Sequence, residues 1–173
     1  MDKQLRSNLV LIGMPGAGKS TVGIILAKLT SRDFVDTDVL IQTTQKRTLQ
    51  NIVDTLGHEE LRRLEAETLC GLSIRNCIIA TGGSAVYSHE GMTHLASEGI
   101  VIFLDVELPV LETRIHNYRT RGLAKRADQT FADLFQERCA LYSKYAEITI
   151  ICAGLTHEEV CLKIIGRVRE LQS

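Results

Sequence analysis

This chain has no charge excess of either sign: 20 Lys and Arg stand against 21 Asp and Glu, a formal net charge of -1. Nothing in that balance would draw it to nucleic acid or to an anionic membrane surface. It also has no apolar run of bilayer-spanning length. The N-terminal "NLVLIGM" is too short for a signal-peptide apolar region followed by a cleavage site, and it runs straight into a glycine loop. The expectation is a cytoplasmic protein with no nucleic-acid and no membrane partner. The cysteines, Cys70, Cys77, Cys139, Cys152 and Cys161, are odd in number and contain no C-x-x-C. They read as reduced thiols serving as small buried hydrophobes. His89 and His94 do not have the one-face spacing of a helical metal pair. No metal site built from protein ligands alone is expected. There is no internal repeat, low-complexity tract or linker. With 173 residues, 45% apolar and 24% charged, the chain suits one globular domain over residues 1–173 with a core of its own.

Five short apolar, often β-branched runs are present: "NLVLIG", "DFVDTD", "CIIATGG", "IVIFLDV" and "ITIICAG". They read as buried strands and alternate with longer segments of helical periodicity. That pattern predicts an α/β fold, a three-layer open parallel five-stranded sheet with helices on both faces. The first helix should run from about Lys19 to Leu29, with Val22, Ile25, Leu26 and Leu29 on its apolar side. The last should open at Thr156, with Glu159 completing a capping box. The segment "NYRTRGLAKRADQT", residues 117–130, is basic and aperiodic and reads as an exposed loop able to act as a lid.

The stretch "GMPGAGKST" runs from Gly13 through Pro15, Gly16, Ala17, Gly18, Lys19 and Ser20 to Thr21. Its G-x-x-x-x-G-K-S spacing follows a strand and opens a helix, the context of a phosphate-binding P-loop. Glycines let backbone N–H groups wrap the phosphates, and the helix N-terminus adds its dipole. Lys19, expected to be an exposed charge facing its ligand, would hold β- and γ-phosphates; Ser20 would coordinate Mg²⁺. The bland alternative is a glycine turn beside an exposed lysine. Asp36 and Asp38 lie at the end of the second strand, on the edge that faces the ligand crevice of such sheets. Their spacing puts both carboxylates on one side of an extended segment. They suit Mg²⁺ held through water and a hydroxyl donor; the alternative is a helix N-cap. Gly82 and Gly83 in "ATGGSAV" permit either a tight turn or a close ligand approach. Arg62, in "HEELRRLEAE", reads either as part of a solvated face paired with Glu65 or as an arginine aimed at an anion.

In order and spacing these elements resemble the shikimate kinases, small P-loop enzymes of the nucleoside-monophosphate-kinase type. The resemblance spans nearly the whole chain. It includes the P-loop, "DTD", Gly57-x-x-x-Leu61-Arg62, "TGG", the lid region and "ERCALY" at Glu137 to Tyr142. It implies ATP and Mg²⁺ as cofactors, shikimate or a similar hydroxy acid as the small-molecule partner, and a monomer. Residues 36–74 or so would form the acceptor-binding segment and residues 117–130 the lid. Asp38 would bind the ring hydroxyls and orient the attacking one, and Asp36 would sit in the Mg²⁺ shell. Arg62, Arg138 and the backbone at Gly82 and Gly83 would take the substrate carboxylate. Arg114 would pack against adenine, and Arg121 would neutralise charge on the transferring phosphoryl group.

Three departures stand out. The lid reads "RGLA" at Arg121 to Ala124 where the family has R-P-L-L, and Gly122 should loosen it. The third glycine of the family is Ser84, which would cost about 1–2 kcal/mol if that position required positive φ. The aromatic positions beside the ring are Val53 and Leu61. The expected activity is phosphorylation of shikimate to shikimate 3-phosphate. The alternatives are a kinase of another hydroxy acid or hydroxy amino acid, or a non-catalytic nucleotide-binding module. Retention of Lys19, Ser20, Asp36, Asp38 and Arg121 speaks against the module. A nucleic-acid kinase would need a basic stripe with interleaved aromatics, which is not evident.

Overall fold

The computed structural model describes residues 6–115, 125–126 and 128–173. Five strands form one parallel sheet: β1 (Asn8–Ile12), β2 (Asp33–Asp36), β3 (Cys77–Ala80), β4 (Gly99–Asp105) and β5 (Ile148–Ile151), in the order β2-β3-β1-β4-β5. All five apolar runs are therefore strands. The central β1 is buried along its whole length, as a strand covered on both faces should be. Its register, Leu11 beside Ala80 and Ile12 beside Phe103, brings the ends of β3 and β4 to either side of Gly13.

Right-handed crossovers settle which helices share a face. From β1 the chain passes through α1 (Lys19–Thr30) to β2, in one direction across the sheet. From β2 it returns through α2 (Thr37–Gln45), α3 (Leu49–Leu56) and α4 (His58–Gly71) to β3, and from β3 through α5 (His89–Glu98) to β4. The opposite direction puts α4 and α5 on the face opposite α1, and the two pack together there. Between β4 and β5 lie α6 (Leu108–Arg114) and α7 (Phe131–Tyr145); α8 (His157–Gln172) closes the chain against α1. The connection leaving β1 crosses one face of the sheet and those leaving its neighbours β3 and β4 cross the other, so the crevice at the carboxyl ends of these strands is the switch point where ligands bind in such sheets. No helix among the described residues is long and apolar enough to cross a membrane.

Local chemistry accounts for the boundaries. Thr130 and Thr156 begin α7 and α8 with capping boxes, the second as expected from sequence. Gly57, at φ +87°, turns α3 into α4. A second small core of Ile41, Ile52, Leu61 and Leu64 holds α2, α3 and α4 together.

Two expectations need correction. Leu29 is 53% exposed. The buried stripe of α1 is Val22, Gly23, Leu26 and Ala27, rotated towards its small residues. The cause is Phe34: a Cβ at Gly23 would lie 2.5 Å from its ring, so the helix packs glycine-first onto β2. Of the cysteines, Cys77 and Cys161 are buried, Cys139 and Cys152 are half-buried, and Cys70 is exposed in the last turn of α4.

Candidate active site

The loop after β1 makes a cradle because its glycines adopt backbone angles closed to other residues. Gly16 and Gly18 have φ of +81° and +91°, and the latter leads directly into α1. Lys19 was expected to stand exposed. It is only 8% exposed, and its Nζ donates to the carbonyls of Gly13 at 2.7 Å and Met14 at 2.9 Å. The ammonium folds back across its own loop between the cleft walls. Burial lowers its pKa to about 8, against the opposing pull of Asp38. Ser20 and Thr21 are exposed at the start of α1, and Ser20 Oγ donates to Asp36 Oδ2 at 2.5 Å. Arg114 Nη1 donates to Gly16 O at 3.3 Å.

Asp36 is the N-cap of α2, and its second oxygen faces Ser20. Its Oδ1 caps α2, accepting from the backbone N–H of Asp38 at 3.0 Å and of Val39 at 3.3 Å, while Oδ2 meets Ser20. Asp38 is not on an extended segment. The strand stops at Asp36 because the cap starts a helix at Thr37, so Asp38 sits in the first turn of α2. Its Oδ1 is buried and has no hydrogen-bond partner among the described residues. Burial, then the neighbouring Asp36 charge, push its pKa up to about 6.

Gly82 and Gly83 are required by proximity. A Cβ on Gly82 would lie 2.6 Å from Asp38 Oδ1, and one on Gly83 would lie 2.8 Å from Arg138 Nη1. Gly82 N–H donates to Thr37 Oγ1 at 3.1 Å, and the buried Tyr142 hydroxyl donates to Gly83 O at 2.6 Å. Ser84 has φ -92°, so the positive-φ cost considered for it does not arise. Its hydroxyl donates instead to Glu65, which is 5% exposed and has its pKa pushed up to about 7 by burial. Arg138 is 1% exposed. Arg62 is half-buried and stacked 3.8 Å over the Tyr87 ring, so it is not part of a solvated face.

These groups converge on a cleft of about 590 Å³. Pro15, Gly16, Gly18, Lys19, Ser20, Thr21 and Arg114 line one part of it, and Asp38, Gly83 and Arg138 line another. Gly13 and Ala17 are buried in the loop beneath, and Asp36 connects to it through Ser20. Gly82 underlies Asp38, and Arg62, which does not itself line the cleft, stacks on Tyr87. Of the two apolar departures, Leu61 reaches the cleft, whereas Val53 packs on the second core. Arg121 and most of the expected lid lie outside the described residues. Sequence reasoning missed Glu65, which lines the cleft, and His157, whose Nε2 would be 3.1 Å from a Cβ on Gly18. Glu65 did carry a signal: it continues the stripe of Leu61, Leu64 and Leu69 on α4, where a solvated carboxylate has no place. Exposed His157 carried none.

The cleft has a glycine-rich loop and Lys19 at one part and a buried arginine and aspartate at another. A family model described as shikimate kinase matches residues 15–169. The shikimate kinase of Rippkaea orientalis is 38% identical over 165 residues, covering 93% of this chain and 87% of the relative. That of Rhizobium meliloti is 33% identical over 171 residues, covering 96% and 88%. The solved structure of Acinetobacter baumannii shikimate kinase in complex with shikimate superposes with a TM-score of 0.88 at 29% identity, covering 96% and 95% of the two chains. A thymidylate kinase from Candida albicans, at 14% identity and a TM-score of 0.65, shares the fold alone. With the model spanning most of its length and relatives above 30% identity covering nearly all of it, the chain belongs to the shikimate kinase family.

Proposed function

We propose that the protein transfers the γ-phosphoryl group of ATP to a ring hydroxyl of shikimate, giving shikimate 3-phosphate and ADP. The observation that carries this reading is one cleft holding Lys19 at its phosphate cradle and Arg138 with Asp38 at its other part. The cradle and Lys19 hold the β- and γ-phosphates. Lys19 must leave the carbonyls of Gly13 and Met14 to do so, and those bonds keep its ammonium in place beforehand. Arg114 flanks the base. Arg138 and Arg62 bind the shikimate carboxylate, leaving the ring hydroxyls at Asp38. The unsatisfied Oδ1 accepts a hydrogen bond from the attacking hydroxyl and aligns it. The hydroxyl oxygen bonds to the γ-phosphorus as the bond to the β–γ bridging oxygen breaks. ADP leaves, and the hydroxyl proton passes to Asp38 or solvent.

Ser20 and Asp36 offer a hydroxyl and a carboxylate oxygen 2.5 Å apart beside the cradle, a donor pair suited to a hard cation. They would hold Mg²⁺, which supplies charge neutralisation on the phosphates. Residues 36–74 form the acceptor-binding segment, residues 117–130 the lid that brings Arg121 to the phosphates, and the protein acts as a monomer. The test is ADP release from ATP and Mg²⁺ with a panel of hydroxy acids. Shikimate should be the preferred acceptor. Release with another hydroxy acid and not with shikimate would reject the substrate and leave a small-molecule kinase.

A further inference from the structure

Tyr87 has the guanidinium groups of both arginines at its ring, and nothing so far gives it a task. It closes a short 3-10 turn, Ala85–Tyr87, that begins directly after the cleft glycines. Backbone bonds tie the turn to them: Ala85 N–H to Gly82 O at 3.2 Å and Tyr87 N–H to Ser84 O at 3.1 Å. Ala85 and Val86 are buried, so the base of the Tyr87 side chain is fixed relative to the loop. The far end is also tethered. The phenol donates to Glu137 Oε1, and Glu137 Oε2 accepts from Nε2 of the buried Gln129 at 2.8 Å.

The ring held between these two points meets two cations on different helices. The Arg62 guanidinium, from α4, is 3.8 Å from its centroid, and that of Arg138, from α7, is 5.5 Å away. A ring face attracts guanidinium, and most strongly away from water. Glu137 adds a negative charge next to Arg138 in sequence, with its pKa held below the usual carboxylate range by the Tyr87 hydrogen bond. Arg62 is the more exposed of the two arginines, and ordering so long a side chain costs rotamer freedom. Stacking removes that freedom before the acceptor arrives, which is how preorganisation raises affinity. Tyr87 does not itself line the cleft.

We propose that Tyr87 is a positioning residue for acceptor binding: its tethered ring holds the Arg62 guanidinium near Arg138 to receive the substrate carboxylate. This rests on the proposed reading that these arginines bind a carboxylate. The test compares Tyr87→Leu, which removes ring and tether, with Tyr87→Phe, which keeps the ring face. Tyr87→Leu should raise KM for the acceptor about tenfold, within the range of a partly desolvated cation–π contact. The KM for ATP and kcat should stay within about twofold, a split that general loosening of the fold would not give. Tyr87→Phe should stay within about threefold of the unaltered chain. In an Arg62→Ala background Tyr87→Leu should add less than about twofold, because its effect acts through that side chain.

The proposal is overturned if folded Tyr87→Leu leaves the acceptor KM unchanged, if the ATP KM rises equally, or if the effect persists undiminished without Arg62. Tyr87→Gln is the second truncation; if neither variant folds, Tyr87 is a residue of the fold and the proposal also falls. The acceptor used is whichever hydroxy acid supports ADP release by the unaltered chain. Rejection of shikimate alone therefore counts against the substrate and not against Tyr87, whereas turnover of no acceptor at all overturns both.

Discussion

Replacing Glu65 by Gln should change the stability of the protein in a way that depends on pH. The Glu65 carboxyl is 5% exposed, and burial moves its pKa from 4.5 to about 7 in the folded chain. In the unfolded chain it ionises normally. Above the unfolded value, then, the unfolded state gains from ionisation while the folded state does not, and stability falls as pH rises from about 4.5 to about 7. Displacing the midpoint this far corresponds to about 3 kcal/mol of destabilisation at pH 8, about 2 at pH 6 and a few tenths at pH 4.5. Glutamine has nearly the same shape and removes that term. If its amide nitrogen finds no acceptor, it adds a constant cost of about 1–3 kcal/mol.

The constant cost cancels in a comparison across pH. The variant's Tm relative to the unaltered chain should be higher at pH 8 than at pH 4.5 by an amount worth about 3 kcal/mol. In a chain of this length that is roughly 6–12 °C. The assay is thermal melting followed by circular dichroism, since the chain has no Trp to report by fluorescence. A Tm difference that is the same at both pH values would refute the argument, because it would mean Glu65 ionises as easily folded as unfolded. A difference of opposite sign would mean that nearby Arg138 and Arg62 outweigh burial, the reverse of the order assigned here.

Three further outcomes follow from the same site. Lys19→Ala should leave the far-UV dichroism intact and lower turnover on the order of 10²–10³-fold, as for loss of one preorganised donor; near-normal turnover in a folded variant would remove the phosphate role. Arg138→Ala should raise the shikimate KM about 10- to 150-fold, the equivalent of one charge-assisted contact, with the ATP KM barely changed; equal changes in both constants would place Arg138 in the fold and not at the acceptor. Gly82→Ala would set a Cβ 2.6 Å from Asp38 Oδ1, so it should cost about 1–3 kcal/mol of stability through overpacking and lower kcat/KM for the acceptor. An unchanged kcat/KM would show that Asp38 can move without consequence.

The parts of this fold legible in the sequence are those where local chemistry and tertiary packing agree. β1 is apolar from Leu9 to Ile12 because helices cover it on both sides, and Thr156 with Glu159 spells a cap from nearest neighbours alone. The P-loop is equally local in its backbone: its glycine angles are set within the stretch Gly13 to Gly18. What escaped was decided by distant partners. Lys19 looks exposed in sequence and becomes buried because Asp38, Glu65 and Arg138 close over it from elements far along the chain. Asp38 looks like a strand residue and becomes helical because Asp36 spends one carboxylate oxygen on a cap and the other on Ser20. Glu65 shows how such cases can be read. A carboxylate within the buried stripe of Leu61, Leu64 and Leu69 is costly unless opposite charge reaches it. Arg138 is as deeply buried and equally in need of a counter-charge. A buried acid and a buried base, far apart in sequence and each unfavourable alone, imply that they share one chamber. The glycines at 82 and 83 let Glu65, Asp38 and Arg138 come this close, since a Cβ at either position would lie within 3 Å of them.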